Sequence, residues 1–202
     1  MARFEIVVLT PESTRKLRGG TPEAGTDAIG EALPPDARGK LEALREQVRT
    51  QSPSGSIATQ GLLPAYERYD GNMYHSIPRD AWEGRAPNVE VVIASALRGL
   101  VASRDLIPGY KLSMAEKTPP FGKLNRWWHD HGLPLILAAY LRAVRPKVVV
   151  DLLSLEYRES VQGFAAGVNG IEVKTIDFPG MGRGSQPLRG ERIAEILRTG
   201  KV

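Results

Sequence analysis

An α/β fold, one domain with a central mixed β-sheet flanked by helices, is the class this sequence predicts. Three observations predict it. Apolar runs of strand length recur along the chain, as Ile6-Val7-Val8-Leu9, Val89-Glu90-Val91-Val92-Ile93 and Val148-Val149-Val150. Segments with helical spacing of apolar residues separate them, and alternation of strands with helices builds a sheet covered by helices. The 202 residues suffice for one buried core, with no internal repeat or linker to divide them.

Element by element, Arg3 to Leu9 reads as an opening strand buried on both faces. Thr10-Pro11-Glu12-Ser13-Thr14 ends it, and Gly19-Gly20 extends the loop. Leu41, Leu44 and Val48 recur at helical spacing, which predicts a helix over Pro35 to Thr50. Ser52 to Ser56 is a turn, and Gln60 to Tyr69 fits neither period. Val89 to Ile93 is the second strand. The segment from Ala94 to Met114 then reads as a polar loop with Ser95, Arg98, Arg104, Asp105, Tyr110 and Lys111, placed where α/β proteins present a site. A helix from Lys123 to Ala143 follows, with Pro134 expected to end or kink it. Pro146 to Leu152 is a third strand, and Ser154 is placed to cap a short helix reaching Val161. Ile171 to Phe178 is a fourth strand. A turn with Gly180, Gly182 and Gly184 leads to a terminal helix over Leu188 to Arg198.

Composition narrows the chemistry. The chain has no cysteine, which removes disulfides, thiolate metal sites, iron–sulfur ligation and a cysteine nucleophile together. Its longest apolar runs, Ile6 to Leu9 and Leu133 to Leu141, are far shorter than a bilayer span, and no signal region opens it; a cytoplasmic protein with no membrane partner is the expectation. The formal net charge is +4. Residues 1–50 balance 8 Lys/Arg against 8 Asp/Glu, whereas residues 98–147 set 9 bases against Asp105, Glu116 and Asp130. The tail from Met181 adds 5 bases against Glu191 and Glu195. That asymmetry points either to an anionic partner, nucleic acid or a phosphorylated small molecule, or to a solvated basic surface.

Four segments carry a family resemblance. Tyr69-Asp70-Gly71-Asn72-Met73-Tyr74 is similar to a Tyr-x-Gly-Asp-Val-Tyr pattern. Ala94 to Met114 aligns without gaps to Leu-Ser-x-Leu-Tyr-Gly-x-Leu-Arg-Pro-x-Asp-x-x-x-Pro-Tyr-Arg-Leu-x-Met. Leu124 to Asp130 is similar to Leu-Tyr-x-Phe-Trp-x-Asp, and Asp151 to Tyr157 to Asn-Leu-Ala-Ser-x-Glu-Tyr. In this order they resemble the YaaA family, the bacterial peroxide-stress proteins, over about residues 60–162 and more weakly over Pro11 to Gly20. The resemblance implies one YaaA-like domain over residues 1–202, a role in peroxide stress, and binding of DNA or another nucleic acid through a basic face. Departures mark a divergent, shortened relative. Asn72 stands where the pattern has Asp, Arg98 where it has Tyr, Ala102 where it has Arg, Lys111 where it has Arg, and Asp151 where it has Asn. Only Arg189-Gly190 matches the family's later Arg-Gly element.

Read as chemistry, the matched residues suggest a polar pocket. Glu156 and Asp105 are the candidates for general acid or base, with Asn72 beside them at the position of the pattern's Asp. Tyr69, Tyr74, Tyr110 and Tyr157 offer a ring and a hydroxyl each, and Ser95 and Ser154 offer hydroxyls. Arg98, Arg104, Lys111 and Arg189 suit an anionic group. The structural alternative pairs Asp105 with Arg104 or Lys111, and Glu156 with Arg158. In Trp127-Trp128-His129-Asp130-His131, a helix sends His129 and His131 to different faces, so neither a metal nor a cofactor is expected. Trp128 reads as core, Trp127 and His129 as partly exposed, and His75 as a surface histidine. Gly180 to Gly184 lacks the Lys-Ser/Thr of a phosphate-binding P-loop and reads as a connector. Three readings follow: a nucleic-acid-binding stress protein; an enzyme on a nucleotide or nucleobase-like substrate, for example in N-glycosidic bond chemistry of a specialised pathway; or a structural relative that has lost the family's activity, as Asn72 and Ala102 would suggest. The residues leave the choice between enzyme and binding protein open.

Overall fold

The computed structural model describes residues 4–202; Arg3, expected to begin the first strand, lies outside them. The chain runs β1 (Ile6–Pro11), α1 (Ala28–Ala32), α2 (Pro35–Gln51), β2 (Ile57–Pro64), α3 (Ala65–Arg68), α4 (Asn72–His75), α5 (Arg79–Glu83), β3 (Val89–Ser95), β4 (Gly99–Ala102), β5 (Leu106–Tyr110), β6 (Lys117–Thr118), β7 (Gly122–Lys123), α6 (Leu124–Asp130), α7 (Leu133–Val144), β8 (Val148–Asp151), α8 (Leu155–Val161), β9 (Glu172–Thr175) and α9 (Ser185–Thr199).

Five strands make the central sheet in the order β4-β3-β1-β8-β9. β3, β1, β8 and β9 are parallel, and β4 returns antiparallel to β3, so the sheet is mixed as expected. β1 lies between β3 and β8 with every residue buried, which is why its sequence is a continuous apolar run rather than an alternation. β9 is an edge strand and its residues are mostly exposed. One contiguous apolar cluster joins the sheet to Leu41, Leu44 and Val48 of α2, to α7 and to Ile193, Ile196 and Leu197 of α9.

Three sequence expectations change. The polar loop after Ile93 is two further strands: Gly99, at φ +69°, turns the chain back as β4, and β5 pairs antiparallel with β2 in a second small sheet. The break in the helix from Lys123 comes at His131–Gly132, before Pro134. Gly132 adopts φ +96°, and Pro134 sits in the first turn of α7, where its missing N–H costs no helical bond. Ser154 occupies the N-cap position of α8, but its side chain makes no capping hydrogen bond. Trp128 is fully buried and donates its indole N–H to the Ala96 carbonyl at 2.9 Å.

The β2–β5 sheet is tied down by Arg68, which is 1% exposed. Its guanidinium donates to the carbonyls of Ile107, Leu17, Gly19 and Gly61. Burial lowers its proton affinity, yet a guanidinium stays charged. No helix among the described residues is long and apolar enough to cross a membrane.

Candidate functional site

The strand order places a topological switch point between β1 and β8. From β1 the chain crosses to β3 on one side, and from β8 it crosses to β9 on the other. Loops that leave neighbouring strands in opposite directions open a crevice at their carboxyl ends, where α/β sheets hold ligands. A cleft of about 620 Å³ lies here. Its walls are Pro11 to Arg15 after β1, Asp70 to Tyr74 around the start of α4, Ser154, Glu156 and Tyr157 after β8, and Gly182, Ser185, Gln186 and Arg189 at the start of α9.

Glu12 meets this cleft through its main chain: the residue is 5% exposed, while its side chain is 0% exposed and points into the layer behind. Its Oε2 accepts the Ala96 N–H at 3.1 Å and the Tyr110 hydroxyl in a short contact. Oε1 faces Lys16 Nζ at 3.9 Å as an ion pair, and the Tyr157 hydroxyl bonds the same carboxyl group. Behind the carboxylate runs a chain of hydroxyls. The Tyr110 hydroxyl shares hydrogen bonds with Ser95 Oγ at 2.9 Å and with the Tyr69 hydroxyl at 2.8 Å. Lys16 Nζ donates to the Leu112 carbonyl at 3.3 Å and lies 4.1 Å from the centre of the Tyr110 ring.

Burial dominates the electrostatics. It pushes the Glu12 carboxyl up, against the Lys16 charge and the bonds from Tyr110, Ala96 and Tyr157. It also lowers the Lys16 ammonium, which Glu12 partly restores. Burial raises the hydroxyls of Tyr69, Tyr74, Tyr110 and Tyr157, and the Glu12 charge raises each further, so all four remain hydrogen-bond donors. Asp70 has the opposite environment. A His75 Nε2 contact at 2.5 Å and the Arg15 Nε bond at 2.8 Å hold its carboxyl below the usual range, against modest burial.

The remaining walls combine an aromatic and a cationic element. Tyr74 is buried and donates its hydroxyl to the Pro11 carbonyl at 2.9 Å. Arg189 is fixed by donation from Nε to the Leu152 carbonyl at 3.1 Å, by donation from Nη1 to Ser185 Oγ, and by the Phe178 ring 5.2 Å away. α9 directs the positive end of its dipole at the same place.

Of the residues expected at the site, Asn72, Tyr74, Ser154, Glu156, Tyr157 and Arg189 line the cleft, with Asn72 and Glu156 exposed. Tyr69, Ser95 and Tyr110 form the buried layer behind it. The others lie elsewhere. Asp105 accepts the N–H groups of Ala28 at 2.8 Å and Ala102 at 2.9 Å, so it pins the β4–β5 turn rather than exchanging protons in the cleft. Arg104 donates to the carbonyls of Trp82 and Glu83, each at 3.2 Å. Arg98 reaches to 4.0 Å from Asp27, and Lys111 is an exposed residue beyond β5. The β4–β5 excursion carries these four away from the switch point. Glu12, Lys16, Asp70 and Arg15 are the residues that sequence reasoning passed over. The available signal was Glu12 following directly on the apolar run of β1. His131 Nδ1 meets the Trp127 carbonyl at 2.7 Å and its ring stacks on Trp127, while His129 and Asp130 are 3.1 Å apart.

Several of the basic residues are paired with carboxylates. Arg126 meets Glu159, Lys147 meets Glu5, Arg192 meets Glu195 and Arg198 meets Asp80.

Comparison with known proteins fits this picture. The sequence profile of the family described as Peroxide stress protein YaaA matches residues 35–186. A UPF0246 protein of Streptomyces coelicolor is 29% identical over 183 residues, covering 79% of this chain and 68% of its own length. A UPF0246 protein of Francisella tularensis is 28% identical over 115 residues, 54% of this chain and 43% of its own length. One of Corynebacterium efficiens is 33% identical over 89 residues, 44% of this chain and 36% of its own length. The last two are therefore matched over less than half their length. The profile covers four of the five central strands, two of the four cleft walls in full and a third up to Gln186, and on that match the chain belongs to the peroxide stress protein YaaA family.

Proposed function

We propose that the chain binds a phosphorylated nucleoside in the cleft between β1 and β8, in the cytoplasm. The observation that carries this reading is that Tyr157 and Arg189 line one crevice at a switch point. Tyr157 supplies a ring for the nucleoside, and Arg189 with the start of α9 supplies the charge that a phosphate requires. The cleft volume of about 620 Å³ lies in the range of small-ligand sites. Calorimetric titration with AMP, GMP, CMP and UMP beside their nucleosides tests it. At least one monophosphate should bind on the order of ten-fold tighter than its nucleoside, about 1.4 kcal/mol. Equal affinities would remove the phosphate from the reading.

Nucleic acid is the second reading, favoured by one observation. Lys117 and Lys123 are exposed register partners across the β6–β7 hairpin, so two like charges face each other. Such a pairing is unfavourable unless an anion offsets it. α6 follows this hairpin directly, and its Asn125 donates to the Glu156 carbonyl at 3.1 Å, beside the cleft. Fluorescence anisotropy with single- and double-stranded DNA at about 50 and about 200 mM salt should give salt-sensitive binding. An unchanged signal at the lower salt overturns this reading. The peroxide role follows the family, and survival of a deletion strain in hydrogen peroxide checks it.

A further inference from the structure

We propose that Glu156 selects the sugar of the bound nucleotide: its carboxylate accepts the 2′- and 3′-hydroxyls of a ribonucleoside 5′-monophosphate whose phosphate meets Arg189. The proposal rests on the nucleotide-binding reading above and names the class of nucleotide that the cleft takes.

Several polar side chains of the cleft are already committed to the fold. Asp70 is held by Arg15 and His75, Tyr74 by the Pro11 carbonyl, and Ser185 by the Gly182 carbonyl and Arg189. Glu156 is different. It lines the cleft and is exposed, and its carboxylate has no hydrogen bond or ion pair among the described residues. Arg158, the cation that the sequence offers it, is turned away: Nε donates to Asp151 at 2.7 Å and Nη2 to Asp177 at 2.9 Å. Arg126 of α6 is likewise taken, by Glu159 at 2.9 Å. Asn125 of the same helix donates to the Glu156 carbonyl at 3.1 Å, so the first turn of α8 is fixed while the carboxylate stays free.

An unpaired carboxylate on a surface is ordinary; this one shares its cleft with an unpaired cation. Arg189 is 8% exposed and meets a carbonyl, a hydroxyl and a ring, but no carboxylate at ion-pairing distance among the described residues. A guanidinium so buried is normally paired. Burial lowers its proton affinity, and Glu156 is among the carboxylates whose charge partly restores it, so the two groups feel each other. A ligand that completes both carries an anion for Arg189 and hydrogen-bond donors for Glu156, because a carboxylate only accepts. A nucleoside 5′-phosphate holds its phosphate and its ribose hydroxyls on either side of one sugar ring, which suits two groups so placed. The heterocycle lies farther from the phosphate and is left to the Tyr157 ring. Acidic side chains hold ribose hydroxyls in the same way in dinucleotide-binding folds. The Glu156 charge also opposes a phosphate at the 2′ or 3′ position, so the cleft takes a free 5′-mononucleotide rather than the interior of a strand.

The test is calorimetric titration of the intact chain with the four ribonucleoside 5′-monophosphates, their 2′-deoxy counterparts and the matching 3′-monophosphates. For the preferred base, ribose should bind on the order of ten-fold tighter than deoxyribose, a moderate ratio because water reaches an exposed carboxylate. The 3′-monophosphate should bind more weakly than the 5′-monophosphate. Glu156 is exposed, so its variants keep the fold. Glu156→Ala should bring ribose and deoxyribose within about two-fold by weakening the ribonucleotide, and Glu156→Gln, which keeps one acceptor, should fall between. Equal affinities for ribose and deoxyribose in wild type overturn the role of Glu156 and leave the binding reading standing. A ribose preference unchanged in Glu156→Ala assigns the sugar to another group and overturns it as well, as does tighter binding of the 3′-monophosphate. Absence of binding by every 5′-monophosphate overturns the reading on which it rests.

Discussion

Lys16 Nζ stands 3.9 Å from the Glu12 carboxylate, four residues further along the chain, with side chains 3% and 0% exposed. A buried pair of this kind is weak evidence of net stabilisation, but removing one member is costly because it strands the other charge. Lys16→Met should therefore destabilise the protein by about 3–5 kcal/mol at neutral pH. The effect has a defined pH sense. Burial already raises the Glu12 carboxyl in the folded state, and loss of Lys16 raises it further. Stability tied to that proton is fully present below the unfolded carboxyl pKa and is lost as pH rises through the folded one. Urea unfolding at about pH 4.5 and pH 8 should show the variant close to wild type at the lower value, near the unfolded glutamate pKa, and impaired at the higher. An equal deficit at both would mean that Lys16 contributes packing alone.

Arg68 offers a different case, a buried cation satisfied by carbonyl oxygens of Ile107, Leu17, Gly19 and Gly61. Arg68→Met leaves these acceptors without their donor. The expected cost is about 3 kcal/mol or more, at roughly 1–3 kcal/mol for each unsatisfied buried group. Hydrogen exchange should accelerate first in residues 17–20, β2 and β5. Uniform acceleration across β1 and β8 would instead show that Arg68 supports the central sheet.

Two glycines separate packing from propensity. A Cβ on Gly190 would overlap the Met73 carbonyl oxygen and come within 2.8 Å of Ser76 Cβ, because α9 crosses α4 closely there. Gly190→Ala should cost about 1–3 kcal/mol and weaken nucleotide binding, since both helices wall the cleft. Gly39 lies exposed inside α2 with open space where a Cβ would go. Gly39→Ala should stabilise by about 0.5–1 kcal/mol with binding unchanged. Thermal melts with and without AMP read both effects.

The Lys117–Lys123 pair gives a quantitative test of contact with nucleic acid. Each phosphate contact contributes about 0.9 to the slope of log K against log salt on duplex DNA. If both lysines meet phosphates, Lys117→Gln/Lys123→Gln should reduce that slope by nearly 2 units. An unaltered slope assigns the interaction to another surface.

Much of the fold was legible because the central strands are buried on both faces. Ile6 to Leu9 and Val148 to Val150 have no polar alternation to obscure them, and Leu41, Leu44 and Val48 mark α2 unambiguously. β4 and β5 were illegible for local reasons. β4 begins at a glycine turn, and β5 contains Pro108 and Gly109, so both carry the composition of a loop. At the site, Tyr74, Glu156, Tyr157 and Arg189 stood out as chemistry-bearing residues, and all four line the cleft. Glu12 did not, because Thr10-Pro11-Glu12-Ser13-Thr14 reads as an ordinary turn. Its burial comes from partners distant in sequence, Ala96 and Tyr110, and no local pattern announces that.

The walls of the cleft come from residues 11–15 and 70–74, from Ser154, Glu156 and Tyr157, and from Gly182, Ser185, Gln186 and Arg189. A ligand there holds the beginning of the described chain to its last helix and acts as a reversible cross-link. Fraying of α9 away from α4 and release of the ligand then become a single event. Occupancy should slow hydrogen exchange in α9 as free ligand rises above its Kd, because mass action stabilises only the docked helix.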